Sequence, residues 1–384
     1  MRYSLINLLI CSVIFISCVS FKNKNNENRA ITTNKQAFHI NNIETFDDVS
    51  IFDIVSNIEV IPLEDSQDIF TNQSFYRRYV ALPDKYLVLD TKESELSIFD
   101  VNGKLIEKYE HAGRGPGEYV MSSDLNYNKI TNRIEILNPS GSINVYDSLG
   151  KNFIETIRIP FPEGISAIHS FRSLSDSMYV FHAEYSDDKC LYTFNRSNNE
   201  LILFGLYHPR EVNFTGMAND RPFYFFKDSL RYCQGWDGAV YNIDYSNNTS
   251  SAIFLWDFGK YQFHLSYLEK DRNIDYYVRY TMEKLKYATT FSCFTESKSN
   301  FITTFLFNKK WLTMLFNKKN NDYTIFEKTT EGVFFAPIYF DGDYAYSYLA
   351  VTSLKNYLPP DLLNTFNPEN YDPESFVVIK YTLL

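Results

Sequence analysis

The residues best suited to chemistry stand in a glycine-rich segment, residues 113–119, whose sequence is GRGPGEY. Three glycines and a proline favour a fixed turn whose backbone can approach another group closely. The guanidinium of Arg114 could bind a carboxylate or a sulfate there through two parallel hydrogen bonds. The segment is not a phosphate-binding P-loop, since it lacks the Gly-Lys-Ser/Thr sequence and follows a predicted strand. We therefore predict Arg114 and Glu118 as ligand-binding residues; the alternative is a structural turn in which Arg114 pairs with a carboxylate such as Glu118.

A second pair of candidates lies in residues 219–223 (NDRPF) and residues 234–238 (QGWDG). Arginine and tryptophan are favoured where ligands or partners bind, and an indole ring suits stacking on a sugar. We predict Arg221 and Trp236 as ligand-binding residues. The alternative is an Asp-Gly turn beside a partly buried tryptophan.

No catalytic motif is present in the sequence. The six histidines make no HxH, HxxH or HExxH spacing, and no GxSxG nucleophile turn occurs. We therefore predict no catalytic residue, no metal site and no cofactor, and we favour a protein that is not an enzyme. A metal held by residues from several separate sheets would show no spacing rule, so a metal-dependent enzyme stays open as the alternative.

The first 17 residues are predicted to be a signal peptide. One early positive charge, Arg2, precedes a short apolar run over residues 5–16 that is too short to span a bilayer. The sequence FISC, residues 15–18, resembles a bacterial lipobox, although Phe15 stands where leucine or valine is usual. The resemblance implies cleavage before Cys18 and attachment of lipid to its thiol. The alternative is an ordinary cleaved signal with a chance cysteine.

Residues 18–45 are predicted to form the lipidated cysteine and a flexible tether, because residues 20–35 are polar and rich in Asn and Lys. About 16 flexible residues have a root-mean-square reach of roughly 20–25 Å, so the folded part would lie beside the membrane. An aspartate directly after the lipidated cysteine would indicate retention in the inner membrane. Val19 stands at that position instead. We expect an outer-membrane lipoprotein that faces the periplasm, with exposure on the cell surface left open.

The charge balance excludes one class of partner. Lys and Arg number 37 and Asp and Glu number 47, which gives a net charge of −10 with no basic run. A nucleic-acid-binding protein needs a basic surface, so we predict no nucleic-acid partner.

Cys11 lies in the predicted signal peptide and Cys18 is the predicted lipidation site, which leaves Cys190, Cys233 and Cys293. At most one disulfide can form among these three, and we favour three buried thiols.

Short β-rich runs separated by polar turns extend from residue 46 to residue 384. The turns that begin at Asp100 and Asp147 share the pattern Asp-x-x-Gly-Lys and lie 47 residues apart, a period typical of propeller blades. Weaker copies bring the total to six units, with one helical insertion at residues 266–287. We predict an all-β fold, a six-bladed β-propeller of four-stranded antiparallel blades. Residues 58–63 and 376–381 should close the ring by pairing within the last blade.

The segment GRGPGEY, placed after the first of these turns, resembles that of a family of bacterial envelope lipoproteins with six-bladed β-propellers, formerly a domain of unknown function. The VIPLE sequence of residues 60–64 is also similar. The resemblance covers about residues 46–384 and implies the fold, but it implies no activity.

Together these features predict a lipid-anchored envelope propeller that acts as a non-catalytic binding or scaffold module. Its partners would be the membrane, through Cys18, and a glycan, a peptide or an envelope protein, bound by loops on one face of the ring. The alternative is a metal-dependent propeller enzyme, such as a lyase, a lactonase or a glycan-degrading enzyme.

Overall fold

Six antiparallel sheets form a ring in the computed structural model. The structure describes residues 37–40, 43–46, 48–65, 77–161, 165, 167–183, 189–205, 221–233, 235, 238–263 and 286–384. The prediction of a six-bladed β-propeller is confirmed. The signal peptide, Cys18 and almost all of the predicted helical insertion at 266–287 lie outside the described residues. No described helix is long and apolar enough to cross a membrane.

Blades 1 to 3 follow one another in chain order, each running from the centre of the ring outward. Their strands are β3 (Arg77–Ala81), β4 (Lys85–Asp90), β5 (Glu95–Asp100) and β6 (Leu105–Glu110); β7 (Asp124–Asn128), β8 (Arg133–Asn138), β9 (Ser142–Tyr146) and β10 (Phe153–Arg158); and β11 (Ile168–Ser173), β12 (Met178–Ala183), β13 (Leu191–Asn195) and β14 (Glu200–Phe204).

Blades 4 and 5 continue the same order, and blade 6 combines strands from both ends of the chain. Their strands are β15 (Phe223–Phe226), β16 (Ser229–Cys233), β17 (Ala239–Asp244) and β18 (Thr249–Asp257); β19 (Thr289–Glu296), β20 (Asn300–Phe307), β21 (Lys310–Asn317) and β22 (Asp322–Phe326); and β23 (Tyr339–Asp341), β24 (Tyr344–Ala350), β25 (Phe376–Leu383) and β2 (Val55–Pro62). A short helix, α1 (Pro360–Phe366), which the sequence reading did not predict, lies between β24 and β25.

Ring closure follows the predicted scheme. Strand β2 pairs antiparallel with β25, with Ile58 opposite Tyr381 and Val60 opposite Ile379. The pairing removes open sheet edges at the two ends of the repeat. The first and last parts of the chain therefore hold each other within one blade.

The burial of each strand reflects its position in a blade. Strands β4 and β20 are buried along their whole length because other blades cover both of their faces. The outer strand β6 instead alternates between half-buried and exposed residues. At the recurring turns, Asp100 accepts hydrogen bonds from the backbone N–H groups of Asn102 and Lys104 at 2.8 and 2.9 Å. Asp147 does the same for Leu149 and Lys151.

The described residues between 37 and 54, here called the N-terminal strap, run along the outside of blades 4, 5 and 6. Strand β1 (Ala37–His39) pairs parallel with β18, and the Phe46 N–H donates to Ile325 O of blade 5 at 2.8 Å. Thr330, which follows blade 5, donates to Val49 O. Part of the range predicted as a tether, residues 18–45, is thus a strand. The physical reason is the side chain of Phe38, which is buried and whose ring centroid lies 4.2 Å from that of Phe316.

Candidate ligand-binding cavity

The innermost strands of the six blades surround a central cavity of about 1070 Å³. The innermost strand of each blade is an edge strand that faces the axis of the ring. No further strand covers it there, so each of these strands contributes side chains to the cavity wall. One lining residue from each blade in turn is Tyr79, Asn126, Arg172, Phe223, Phe291 and Tyr339.

The charge of the cavity wall is opposite to that of the whole chain. Among the described lining residues six are basic and two are acidic, whereas the net charge of the chain is −10. The basic residues are Arg77, Arg78, Lys129, Arg172, Arg221 and Lys227, and the acidic ones are Asp228 and Asp341. The described wall therefore carries an excess of positive charge.

Backbone carbonyls of neighbouring blades hold two of these guanidinium groups. Arg78 of blade 1 donates through Nε to the carbonyl of Ser123, at 2.8 Å, just before blade 2. Arg172 of blade 3 donates to the carbonyl of Phe223 in blade 4 at 3.2 Å and to the carboxylate of Asp124 in blade 2 at 3.0 Å. The two arginines connect four consecutive blades and have fixed positions in the cavity wall.

Arg221 precedes β15 of blade 4 and reaches across to blade 6. Its Nη1 donates to the carbonyl of Ile338 at 2.9 Å, and the guanidinium lies over the rings of Tyr79 (5.1 Å) and Tyr339 (5.7 Å). Removal from water lowers the pKa of Arg221, and the positive charges of Arg78 and Arg172 lower it further. Arg78 and Arg172 therefore repel Arg221, and the carboxylate of Asp124, which is bonded to Arg172, offsets part of that repulsion.

Residues 338–341, which form the innermost strand of blade 6 and the residue before it, are here called the crossing segment. Each of them contacts a blade that is not adjacent to blade 6. Ile338 and Tyr339 meet Arg221 of blade 4, and the ring of Phe340 lies 5.8 Å from that of Tyr224 in the same blade. Asp341 forms an ion pair with Lys129 of blade 2 at 2.8 Å. Contacts with blade 6 thus extend across the cavity to blades 2 and 4.

A neutral polar surface adjoins the arginines on blade 2. The side-chain amides of Asn126 and Asn128, both in the cavity wall, each donate to a carboxylate oxygen of Glu135 at 3.0 Å. Tyr179 of blade 3 donates to the same carboxylate at 3.4 Å. Burial raises the pKa of Glu135. The amides are therefore held in fixed orientations by a carboxyl group that lies behind the wall.

The residues predicted from the sequence fall in different places. Arg221 lines the cavity. Arg114 and Glu118 lie in the exposed turn between blades 1 and 2, away from the described cavity wall; there Glu118 accepts a hydrogen bond from the Gly115 N–H at 2.7 Å. Trp236 and Cys18 lie outside the described residues.

Sequence reasoning missed Arg78 and Arg172. Each is a charged residue inside a short run that otherwise reads as a strand, RRYVA and IHSFRS. An arginine within the first strand of a predicted blade was the available signal, since that strand faces the axis.

No disulfide joins Cys190, Cys233 and Cys293; Cys190 and Cys233 are buried and Cys293 is half-buried. Among the described residues, no group of three His, Cys, Asp or Glu side chains is placed to hold a metal ion.

Comparison with known proteins gives a family and a fold. The model of a family described as a domain of unknown function, DUF4934, matches residues 32–374. The structure of a “putative exported protein” from Bacteroides fragilis NCTC 9343 is similar with a TM-score of 0.68 and 17% identity, over 90% of this chain and 99% of that one. A member of the DUF4221 family from Bacteroides vulgatus ATCC 8482 is similar with a TM-score of 0.54 and 12% identity, over 88% and 99%. No curated protein matches the sequence.

Proposed function

This chain belongs to the DUF4934 family, and we propose that it is a non-catalytic binding module that holds an anionic ligand in the central cavity of its propeller. The observation that carries the proposal is the reversal of charge between the acidic chain and the basic cavity wall. Clefts lined by one sign of charge, with walls of low dielectric constant, concentrate ions of the opposite sign.

The geometry of the arginines favours specific hydrogen bonding to an anion over general electrostatic attraction. Arg78, Arg172 and Arg221 are each fixed by a carbonyl of another blade before any ligand arrives. Binding then costs little further ordering of these side chains, which is the general advantage of a preorganised site. A guanidinium also presents donors in a planar fork that matches a carboxylate or a sulfate.

The proposal includes a place in the cell. The sequence of residues 15–18 supports lipid attachment at Cys18, and the similar Bacteroides fragilis protein is described as exported. We propose a lipoprotein of the cell envelope, held at the outer membrane and facing the periplasm, that presents the propeller to its ligand beside the membrane.

A thermal-shift experiment on the full chain, purified in detergent, tests the binding proposal. The probes are D-glucuronate, glutarate and sulfate, with glucose as the neutral control, at constant ionic strength. A ligand at about 100 times its Kd stabilises a protein by about 2.7 kcal/mol, enough for a measurable rise in Tm. We expect at least one anion, and not glucose, to raise the Tm.

Variants locate the effect in the cavity. Arg78→Gln and Arg221→Gln should abolish the rise in Tm, whereas Arg114→Gln, an exposed arginine outside the described wall, should keep it. A shift that persists in Arg221→Gln and disappears in Arg114→Gln would contradict the cavity and support the glycine-rich turn. No shift with any of the three anions would contradict the proposed function.

Membrane attachment has its own test, with metabolic labelling by radioactive palmitate and separation of membrane from free protein. Cys18→Ser should lose the label and leave the membrane fraction. Cys11→Ser, within the predicted signal peptide, should keep both. Retention of the label by Cys18→Ser would contradict the proposed anchor.

A further inference from the structure

We propose that the cavity binds an aromatic carboxylic acid, with the carboxylate at Arg221 and the ring on the indole of Trp311. The proposal deepens the proposed function and rests on it, since it takes the anion-binding cavity as given. It is carried by the distribution of charge along the cavity, by the exposure of Trp311 and by the hydrogen bonds that the polar part of the wall already makes.

The charge of the described wall differs between the two ends of the ring. Because each blade has four antiparallel strands, every inner strand begins at the same end, here called the upper end. Arg77 and Arg78 begin β3, and Arg221 precedes β15. The turns and strand ends at the opposite end hold two basic and two acidic lining residues: Lys129, Lys227, Asp228 and Asp341. No other described lining residue is acidic, so the wall is basic at the upper end and balanced at the other.

An exposed indole lies at the same upper end. Trp311 lines the cavity and is 45% exposed. It pairs with Leu306, which in turn pairs with Thr289, the first residue of the inner strand of blade 5. Arg221 acts on this strand electrostatically: burial raises the pKa of the Cys293 thiol, and the positive charge of Arg221 opposes that rise. A guanidinium and an accessible aromatic face therefore share one end of the cavity.

The side-chain amides of blade 2 offer little to a ligand rich in hydroxyl groups. Asn126 already donates its N–H groups to Glu135 and Ser173. Asn128 donates its own to Glu135 and to the carbonyl of Ser175. A ligand that took these donors would leave buried acceptors without their partners, which is unfavourable. The wall therefore favours a ligand whose body is apolar.

The accessible apolar surface of the wall is largely aromatic. Six aromatic lining residues are exposed or half-buried: Tyr127, Phe225, Tyr245, Trp311, Tyr339 and Tyr357. Aromatic pairs gain from offset or edge-to-face contact beyond the apolar area that they bury. A carboxylate, for its part, matches the planar fork of a guanidinium. An aromatic ring joined to a carboxylate combines the two features that the upper end presents.

The test measures affinity by isothermal titration with the full chain in detergent, after subtraction of titrations into detergent alone. The aromatic acids are benzoate, phenylacetate and 3-phenylpropionate, which vary the distance between ring and carboxylate. Each has two controls, the cyclohexyl acid with the same chain and the neutral aromatic amide. We expect at least one aromatic acid to bind about threefold or more tightly than its cyclohexyl counterpart and about tenfold or more tightly than its amide.

Variants of Trp311 locate the ring. Trp311→Ala should weaken the best aromatic acid about tenfold and remove its preference over the cyclohexyl acid, while the Tm shift by small anions stays as in the wild type. Trp311→Phe, which keeps an aromatic face, should retain most of the affinity. Phe46→Ala removes an exposed ring outside the described cavity wall and should bind as the wild type does.

Variants of Arg221 locate the carboxylate. Arg221→Gln should weaken the aromatic acid about tenfold or more and leave the affinity for its amide unchanged, since only the acid makes a charge-assisted contact. Arg221→Lys, which keeps the charge without the planar fork, should fall between Arg221→Gln and the wild type.

The contrary outcomes separate this inference from the proposed function. Equal or tighter binding of the cyclohexyl acids, or unchanged affinity in Trp311→Ala, would overturn the aromatic subsite but leave the anion site standing. The same conclusion follows if a small anion raises the Tm and no aromatic acid binds. An amide that binds as tightly as its acid would overturn the placement of the carboxylate at Arg221. Failure of every acid, together with no Tm shift by the small anions, would remove the proposed function as well.

Discussion

The carboxyl group of Glu135 lies inside the wall of the cavity, between blades 2 and 3. It accepts hydrogen bonds from Asn126, Asn128 and Tyr179, and only 1% of the residue is exposed. Burial disfavours the charged form and raises the pKa of Glu135, although the hydrogen bonds act in the opposite direction. The protonation of this carboxyl group is therefore coupled to folding.

The sign of the pH effect follows from linkage. The pKa of Glu135 is higher in the folded protein than its ordinary value of 4.5, so the folded state holds the proton more tightly. Its contribution to the free energy of unfolding is fully present below about pH 4.5 and is lost as the pH rises through the folded-state pKa. Glu135→Gln cannot titrate. We expect its free energy of unfolding, relative to the wild type, to rise between pH 4.5 and pH 8.

Urea unfolding at several pH values measures this difference. Glu374→Gln, at an exposed position, serves as the control and should follow the wild type at every pH. A difference between Glu135→Gln and the wild type that does not change with pH would contradict the assignment of the titration to Glu135.

At the scale of strands and turns, the sequence predicts the segments that read as strands and misses those that do not. The recurring Asp-x-x-Gly-Lys turns and the apolar runs predict six blades, and the strand-like runs at residues 58–63 and 376–381 predict their closure. The N-terminal strap and the crossing segment have no second copy, and their contacts join residues far apart in the chain, such as Phe46 with Ile325. The cavity could not be predicted for the same reason. Arg78, Arg172 and Arg221 come from three different blades and lie near one another only in the folded ring.

The N-terminal strap should contribute substantially to stability, although its composition resembles a tether. Phe38 is 9% exposed and packs on Phe316, whereas Phe46 is 46% exposed. We expect Phe38→Ala to lower the free energy of unfolding by about 3 kcal/mol, as for other large-to-small changes in a core. Phe46→Ala should cost less than about 1 kcal/mol. Equal costs in denaturant unfolding would contradict a packed strap.

One glycine turn joins blade 1 to the closing strand of blade 6. Gly103 has a φ of +83°, and a Cβ there would lie 1.9 Å from the carbonyl oxygen of Pro62. Gly342 also has a positive φ, +64°, but a Cβ there would meet nothing within 4 Å. We expect Gly342→Ala to lower the free energy of unfolding by about 1–2 kcal/mol from backbone strain alone. Gly103→Ala should lower it clearly more, because the Gly103 turn and the Pro62 backbone must also move apart. Similar Tm losses in the two variants would contradict this close approach.

At the scale of the whole molecule, two electrostatic fields of opposite sign act on an approaching anion. The net charge of −10 repels it from a distance, whereas the basic cavity attracts it once it has entered. Salt screens the outer field more strongly, because charges in water at 0.1 M are screened beyond about 10 Å and partly buried charges are screened much less. The association and dissociation rates should therefore respond differently to salt.

We expect the association rate of an acidic probe to rise about twofold between roughly 20 and 300 mM NaCl, as the outer repulsion is screened. The dissociation rate should change less, since the contacts that hold the bound anion lie within the cavity. Stopped-flow tryptophan fluorescence gives both rates, with Trp311 in the cavity wall as one reporter. Competition by chloride would lower the association rate, so a rise cannot come from that source. An association rate that falls steeply with salt would instead place the binding site in an outward-facing basic field, which the acidic composition of this chain argues against.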